Sequence, residues 1–276
     1  MDEQLYLMAV GLSLDEKIEK AVTNLRHYEA EALKHDPVNG YYLCDSYGKD
    51  SCVILDLAKR SGVKFQAHYN LTTLDPPELV RFGRKHHPET VEHKPRVPML
   101  VRMVESGRPP TRLVRWCCAE YKEGSGKGAL VFGVRAAESV SRKANWKIWQ
   151  RHRGRNNGSY ILNPILYWTD KDVWMYIERF RLPYCELYDE GWDRLGCIGC
   201  PMGRKQRVRQ FARWPKYELA WKRAFQKLWD TYRGIPTKRG KVRAIDRHGW
   251  ETVDDYWRWW MSGESGGDDD CQMGLW

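Results

Sequence analysis

One strand–loop–helix stretch, residues 40–62, constrains the fold of this chain more than any other feature. Residues 41–44 form a short apolar run that predicts a buried strand, and residues 52–59 predict a helix that ends at Gly62. The loop between them reads Ser-Tyr-Gly-Lys-Asp-Ser at 46–51. A strand that enters a helix through such a loop leaves backbone N–H groups unpaired at the helix start, where the helix dipole and Lys49 favour an anion. The stretch therefore predicts a phosphate-binding loop.

Further strands and helices alternate after this stretch. Apolar runs predict strands at residues 63–70, 90–93 and 128–134, and helices separate them. This alternation is typical of an α/β fold with a doubly wound, mainly parallel sheet. Ligands of such sheets bind at the carboxyl ends of the strands, so residues 46–51 and residues 72–78, which include Asp75, are both expected at that edge.

Composition shifts divide the chain into four predicted parts. Residues 1–38 hold an N-terminal helix, which starts at a capping-box pattern from Ser13 to Glu16 and is a candidate packing or homodimer element. Residues 39–201 form the nucleotide-binding α/β domain with the cysteines. Residues 202–262 form a basic, Trp-rich helical extension, and residues 263–276 form a flexible acidic tail.

The charge balance and the cysteine content limit the class of protein. The 46 Lys and Arg residues outnumber the 36 Asp and Glu residues and give a formal net charge of +10, which is compatible with polyphosphate or nucleic-acid partners. No window approaches the roughly 18 apolar residues of a membrane span, and the first residues are acidic, unlike a leader peptide. We therefore expect a cytoplasmic protein with no membrane partner, in which the 8 cysteines indicate metal or redox chemistry rather than disulfides.

Four cysteines have the spacing of a metal site. Cys197 and Cys200 form a C-x-x-C turn, and Cys117 and Cys118 are adjacent. Four thiolates suit either zinc or an iron–sulfur cluster. Adjacent cysteines are awkward for one tetrahedral ion, so the spacing favours a cluster, and reduced core cysteines are the alternative.

Two arginines follow the fourth predicted strand. Arg135 stands directly at the strand end, where its guanidinium group can bind phosphate or sulfate bidentately. Arg142 begins the segment 142–159, which is rich in Lys, Arg, Asn and Gly and is predicted to be an exposed, mobile loop. An arginine in such a loop is usually solvated surface.

Taken together, these motifs resemble the phosphoadenylyl-sulfate (PAPS) reductase family of the ATP α-hydrolase (PP-loop) superfamily. The residues that carry the resemblance, in the family's order, are 46–51, 72–78, 117–118, 133–135 with 138–139, 163–165 with 168–174, and 197–201. The loop resembles the family's S-G-G-K-D-S motif, with Tyr47 in the place of the first Gly. The cysteine pattern resembles the four [4Fe–4S] ligands of assimilatory sulfonucleotide reductases and of DndC-type DNA-phosphorothioation proteins.

The resemblance also implies the ligands. It implies an adenine-nucleotide site, for ATP with Mg²⁺ or for PAPS or APS as the substrate, made by Ser46, Tyr47, Gly48, Lys49, Asp50, Ser51, Asp75, Gly133, Arg135 and Arg142. It implies a [4Fe–4S] cluster held by Cys117, Cys118, Cys197 and Cys200.

The resemblance leaves two enzyme activities open. True reductases generally lack the Lys49–Asp50 pair that this chain retains, so the first hypothesis is a DndC-like ATP-cleaving sulfur-transfer enzyme with catalytic Lys49, Asp50 and Arg135. Its acceptor would be a nucleic acid, and a cysteine desulfurase would be a sulfur donor. The alternative is a thioredoxin-dependent PAPS or APS reductase in which Cys271, in the tail, is the nucleophile. A third hypothesis, a non-catalytic iron–sulfur nucleic-acid-binding protein, rests on Tyr47.

Overall fold

The computed structural model describes residues 3–122, 126–152, 158–237 and 240–263. The helices and strands of these residues are, in chain order, α1 (Glu3–Val10), α2 (Leu14–His35), β1 (Tyr41–Cys44), α3 (Lys49–Ser61), β2 (Phe65–Asn70), α4 (Pro77–His86), β3 (Val91–His93), α5 (Met99–Ser106), α6 (Trp116–Tyr121), β4 (Ala129–Val131), α7 (Val140–Asn145), β5 (Trp149–Arg151), β6 (Tyr160–Leu162), α8 (Asp170–Phe180), α9 (Arg207–Arg213), α10 (Pro215–Tyr232), α11 (Ala244–Arg247) and α12 (Val253–Ser262).

The chain divides into two compact units. The first unit comprises Met1–Asn70, Pro77–His93 and Gly124–Leu195, and the second comprises Leu71–Pro76, Lys94–Glu123 and Gly196–Trp276. No helix among the residues that the structure describes is long and apolar enough to cross a membrane.

The first unit is built on a six-stranded sheet with the strand order β3-β2-β1-β4-β6-β5. Neighbouring strands run parallel, except for the antiparallel edge pair β5–β6. Strand β1 lies in the middle, where Tyr41 pairs with Phe65 of β2 and Leu43 pairs with Val131 of β4. The predicted doubly wound, mainly parallel α/β fold is confirmed.

Local sequence signals explain where the helices next to the sheet begin and end. Helix α2 starts at the predicted capping box, in which Ser13 and Glu16 bind each other's backbone N–H groups. Helix α3 follows Gly48 and ends at Gly62, whose φ of 72° is the left-handed conformation that glycine adopts at helix ends. The apolar side of α3 is buried in the core of the sheet, and α2 and α8 pack against it.

The predicted mobile loop at residues 142–159 is wrong over the part that the structure describes. This part contains the end of α7 and the edge strand β5. Trp149 fixes the strand because its ring stacks on Tyr160 at 5.0 Å between centroids and on Tyr28 at 4.4 Å. Residues 153–157 lie outside the described residues.

The second unit is helical and its core is aromatic. Helix α10 packs against α5, α9 and α12. Its buried side chains Trp221 and Phe225 contact Trp260 of α12, with ring centroids 4.6 and 5.3 Å apart. The unusual tryptophan content of this part of the sequence is therefore explained by a core made of stacked and tilted rings.

Candidate active site

The loop between β1 and α3 has its N–H groups divided into two sets. Three of them donate to side chains: Ser46 to the Ser51 hydroxyl at 2.9 Å, Tyr47 to Asp45 at 2.8 Å and Lys49 to the Tyr188 hydroxyl at 3.0 Å. The N–H groups of Gly48, Asp50 and Ser51 have no acceptor among the described residues. These three donors lie at the start of a 13-residue helix, where the helix dipole favours an anion.

Tyr47 adopts a conformation that suits glycine, with a φ of 58°. Its ring is 1% exposed and stacks on Tyr69 at 4.0 Å between centroids. On the other side the ring lies against Gly83, where an added Cβ would come within 2.3 Å of it. The tyrosine side chain is therefore accommodated inside the first unit, although its backbone conformation is one that suits glycine.

Lys49 points into a group of acceptors. Its side chain is 5% exposed, and its Nζ lies 3.2 Å from Oδ1 of Asp170 and 3.8 Å from Oδ2 of Asp50. The same Nζ donates to the backbone carbonyl of Asp193 at 3.1 Å. The ammonium group is thus held in place at the helix start by three oxygens.

Arg135 completes the charged group. Its Nε donates to Oδ1 of Asp50 at 2.6 Å, and its Nη2 donates to Oδ1 of Asp170 at 2.9 Å. Burial raises the pKa of Asp50, and the charges of Arg135 and Lys49 oppose that effect. Two cations and two carboxylates therefore lie together beside the three unpaired N–H groups.

Asp170 is the residue that sequence reasoning missed. It is the first residue of α8, after the N-cap Thr169, and a sequence pattern there indicates only a helix start. In the structure, Asp170 bridges Lys49 and Arg135, and its side chain is 60% exposed. The sequence signal for Asp170 was a carboxylate at the start of the helix that follows β6, a strand of the same sheet as β1.

Two other predicted residues lie near this group. A Cβ added at Gly133 would be 3.2 Å from Cβ of Asp50, so glycine allows the chain after β4 to approach the start of α3. Arg142, on α7, forms an ion pair with Glu138, and the carboxylate of Glu138 also accepts the N–H of Arg135.

The second unit brings all four predicted cysteines together. Cys117 and Cys118 lie on α6, and all four thiols line one cavity with Lys122. The C-x-x-C turn needs its glycine, because Gly199 has a φ of 80° and an added Cβ would lie 2.6 Å from Nε1 of Trp221.

The thiols of this group differ in acidity. The hydrogen bond from Cys117, together with Lys122 and Arg115, lowers the pKa of Cys118 to about 5. The same hydrogen bond and burial raise the pKa of Cys117. Burial raises the pKa of Cys197 to about 11 against the opposing charge of Lys122.

The four thiols are the feature of this cavity that best suits a bound metal group. No three His, Cys, Asp or Glu side chains in the described part of the chain are arranged to hold one metal ion. A four-iron cluster takes one thiolate on each iron, so four grouped thiols suit it better than they suit a single ion. The cavity measures only about 20 Å³, the room of one water molecule. The fit therefore rests on the chemistry of the donors and not on the size of the cavity.

Two further predicted site residues are Asp75 and Cys271. Asp75 belongs to the second unit, where its carboxylate accepts the N–H of Thr72 at 2.7 Å. The hydroxyl of Thr72 in turn accepts the Cys197 thiol at 3.3 Å, so Asp75 is two hydrogen bonds away from the cysteine group. Cys271 lies outside the described residues.

The sequence is similar to known proteins. The family profile described as phosphoadenosine phosphosulfate reductase domain matches residues 41–202. An uncharacterized 37.8 kDa protein of Escherichia phage 186 is 32% identical over 43% of this chain and 40% of that protein. An adenosine 5′-phosphosulfate reductase of Staphylococcus epidermidis is 28% identical over 58% of this chain and 69% of the reductase.

The matches are partial. The chain spans 40%, 30% and 47% of the length of the first three curated relatives, which are all uncharacterized. Among solved structures, a PAPS reductase from Candida auris in a phosphate complex has a TM-score of 0.44 and 19% identity, and the match covers 63% of this chain and 93% of that one.

Proposed function

This chain belongs to the phosphoadenosine phosphosulfate reductase domain family, and we propose that it is an ATP-cleaving sulfur-transfer enzyme. The observation that carries the proposal is the phosphate cradle. The unpaired N–H groups of Gly48, Asp50 and Ser51 lie beside two cations, Lys49 and Arg135, on one end of a helix. Such an arrangement suits the phosphates of an adenine nucleotide.

Binding would exchange the partners of the two cations. Asp170 is the most exposed member of the charged group and accepts from both Lys49 and Arg135. Phosphate oxygens at the loop would compete for those two donors, and the freed carboxylate would face solvent. Carboxylate oxygens are ligands that Mg²⁺ prefers, so Asp50 and Asp170 are the residues that would hold a Mg²⁺ ion accompanying ATP.

The retained Lys49–Asp50 pair favours cleavage of ATP. An oxygen of the acceptor would attack the α-phosphate, and pyrophosphate would leave with the electron pair of the broken bond. Lys49 and the loop N–H groups would stabilise the negative charge that develops on the leaving pyrophosphate. A sulfur nucleophile, supplied by a cysteine desulfurase, would then displace AMP from the adenylated acceptor.

We propose that Cys117, Cys118, Cys197 and Cys200 hold a [4Fe–4S] cluster. The support is the grouping of the four thiols in one cavity with Lys122, whose charge offsets part of the charge of four thiolates. A bound cluster would supply sulfur or electron chemistry. The net charge of +10 supports a nucleic acid as the acceptor.

The second candidate is a PAPS or APS reductase. The observation that favours it is the set of relatives named adenosine 5′-phosphosulfate reductase. In this scheme Arg135 and Arg142 would bind the sulfonucleotide, and the Cys271 thiolate would attack its sulfur. The S–O bond would break, the nucleotide phosphate (AMP from APS, or adenosine 3′,5′-bisphosphate from PAPS) would leave with its electron pair, and an S-sulfocysteine would form. Reduced thioredoxin would then resolve that cysteine and release sulfite. Sulfite released from PAPS by the wild type with reduced thioredoxin, and abolished by Cys271→Ser, would favour this candidate.

Two single lysine variants test the leading proposal. Lys49→Ala removes a cation from the cradle and should lower pyrophosphate release from ATP by about 100-fold to 1,000-fold, as the loss of other preorganised donors does. Lys171→Ala is the matched control, because Lys171 is exposed on the same helix as Asp170 and should change the rate little. Equal rates for Lys49→Ala and Lys171→Ala would defeat the proposal.

A further inference from the structure

We propose that the outer face of α10 binds the phosphate backbone of a nucleic acid through Lys216, Arg223 and Lys227, a set called the basic stripe below. The inference deepens the proposed function, because it assigns a surface to the nucleic-acid acceptor. It rests on the proposed function only for the identity of that partner. The geometry of the stripe stands on the structure of the second unit.

The positive charge of the chain is concentrated in one stretch. Residues 202–263 contain 16 Lys and Arg residues and 6 Asp and Glu residues, so their formal charge is 16 − 6 = +10. This equals the net charge of the whole chain, and the remaining residues therefore sum to zero. An anionic partner has most to gain at this stretch.

The first part of this stretch, residues 202–213, is not a uniformly exposed basic surface. Arg207 is 1% exposed, and its guanidinium group donates to the backbone carbonyl of Trp260. The same group lies 4.5 Å from the Trp260 ring centroid, so Arg207 is part of the core. The number of basic residues in a segment therefore does not show which of them form an exposed basic surface.

Helix α10 carries the exposed charges. Lys216, Arg223 and Lys227 follow one another at intervals of seven and four residues, which places them within roughly 40° of one another around the helix axis and over about 16 Å along it. All three side chains are exposed, and none forms an ion pair with a carboxylate in the described part of the chain. Lys222 differs, because it pairs with Glu218 at 2.8 Å.

The opposite side of the same helix is committed to the core. Trp221, Ala224, Phe225 and Leu228 are buried there. Asp230, three residues after Lys227 on the same helix, accepts a hydrogen bond from the side chain of Gln226 at 2.8 Å. The stripe is therefore a row of unneutralised cations on a helix whose position is fixed by its packing.

The chemistry of the stripe favours a nucleic acid over a lipid surface. A helix that lies on a membrane exposes a broad apolar face, whereas the apolar face of α10 is buried and Leu219 is the exposed apolar side chain beside the stripe, at 49%. Nucleic-acid strands carry a charge every 3.4 Å or so along the axis, which allows three cations spread over about 16 Å to contact three phosphates. Contacts of this kind hold the strand and carry no sequence preference.

The salt dependence of binding tests the proposal. A fluorescein-labelled 30-base-pair duplex DNA and one of its single strands are titrated with the full chain between 50 and 200 mM salt. The triple variant K216A/R223A/K227A should make the slope of log K against log salt shallower by about 2.7 for the duplex or about 2.1 for the single strand. The control variant K20A/K64A/K85A removes the same charge from exposed lysines of the first unit and should leave the slope unchanged.

Three results would overturn the proposal: no binding of either DNA by the wild type, equal slope changes in both triple variants, or equally tight, stripe-dependent binding of phosphatidylserine vesicles. ATP binding is measured separately without DNA and should be the same in all three proteins. If the wild type does not bind ATP, the proposed function is wrong, but the basic stripe can still bind DNA. If the wild type binds ATP but not DNA, only the proposal for the basic stripe is wrong.

Discussion

Tyr47 is held in a left-handed conformation by several independent contacts. A non-glycine residue there costs about 1–2 kcal/mol, and burial of the ring between Tyr69 and Gly83 offsets that cost. The N–H of Tyr47 is fixed by Asp45, whose other carboxylate oxygen accepts from His87 at 2.6 Å. Because these contacts hold the loop in shape, the tyrosine gives no support to the third hypothesis, that of a non-catalytic nucleic-acid-binding protein.

Gly83 and Tyr47 should behave as a matched pair. Gly83→Ala would place a methyl group 2.3 Å from the Tyr47 ring and should destabilise the protein by about 1–3 kcal/mol, the usual cost of overpacking a core. In a Tyr47→Gly background the ring is absent, and Gly83→Ala should then cost much less. Urea denaturation of the two single variants and the double variant measures the coupling. Additive costs would show that the ring does not fill this space.

At the scale of the elements, two ion pairs connect helices α2 and α8. Lys17 and Asp172 form a 2.6 Å pair whose side chains are 4% and 13% exposed, and Arg179 and Asp15 form a 2.6 Å pair whose side chains are 47% and 74% exposed. The buried pair lies in the first turn of α8, the turn that also presents Asp170 to Lys49 and Arg135. Both pairs join the same two helices and differ in burial, so comparing them measures the effect of burial on an ion pair.

Asp172→Asn should destabilise the protein by about 3–5 kcal/mol, because it leaves the Lys17 ammonium group buried without a counter-charge. Asp15→Asn should cost less than about 1 kcal/mol, because water and salt screen the exposed pair. Both values come from urea denaturation at neutral pH. Equal losses of unfolding free energy in the two variants would mean that burial does not determine how much the Lys17–Asp172 pair contributes to stability.

The buried Lys17–Asp172 pair also predicts how the stability of the protein changes with pH. Burial raises the pKa of Asp172, but hydrogen bonds from Lys17 and Thr169 outweigh it and leave the pKa below its usual value of 3.8. A depressed folded-state pKa stabilises the protein above the unfolded value, and that stability is lost as the pH falls through the folded value. Stability measured between pH 5 and pH 2 should therefore fall less steeply for Asp172→Asn than for the wild type.

At the scale of the whole molecule, the sequence predicted what local signals encode. The capping box at Ser13, the left-handed Gly62 and the strand–helix alternation predicted α2, α3 and the parallel sheet. The motif spacing also predicted that the four cysteines meet. Sequence did not predict that Asp170 meets Lys49, because 121 positions separate them and only the order of the strands in the sheet brings them together. The burial of Arg207 in an aromatic core was missed for the same reason.

The cysteine group predicts the colour of the protein. Protein purified without oxygen should be brown, with the broad absorbance near 400 nm that is typical of thiolate-bound iron–sulfur clusters. Cys117→Ser should remove the colour and destabilise the second unit. The control Cys185→Ser changes a buried cysteine of the first unit and should keep the colour. Colourless wild-type protein with one zinc ion per chain would contradict the assignment.

The central claim is that this loop binds ATP and releases pyrophosphate from it. The most direct measurement incubates the anaerobically purified chain with ATP or with PAPS, in the presence of DNA and of reduced thioredoxin, and quantifies pyrophosphate and sulfite in each reaction. We expect pyrophosphate from ATP and no sulfite from PAPS, because the Lys49–Asp50 pair and the N–H groups without acceptors are proposed to hold a leaving pyrophosphate. Sulfite from PAPS with no pyrophosphate from ATP would contradict the claim.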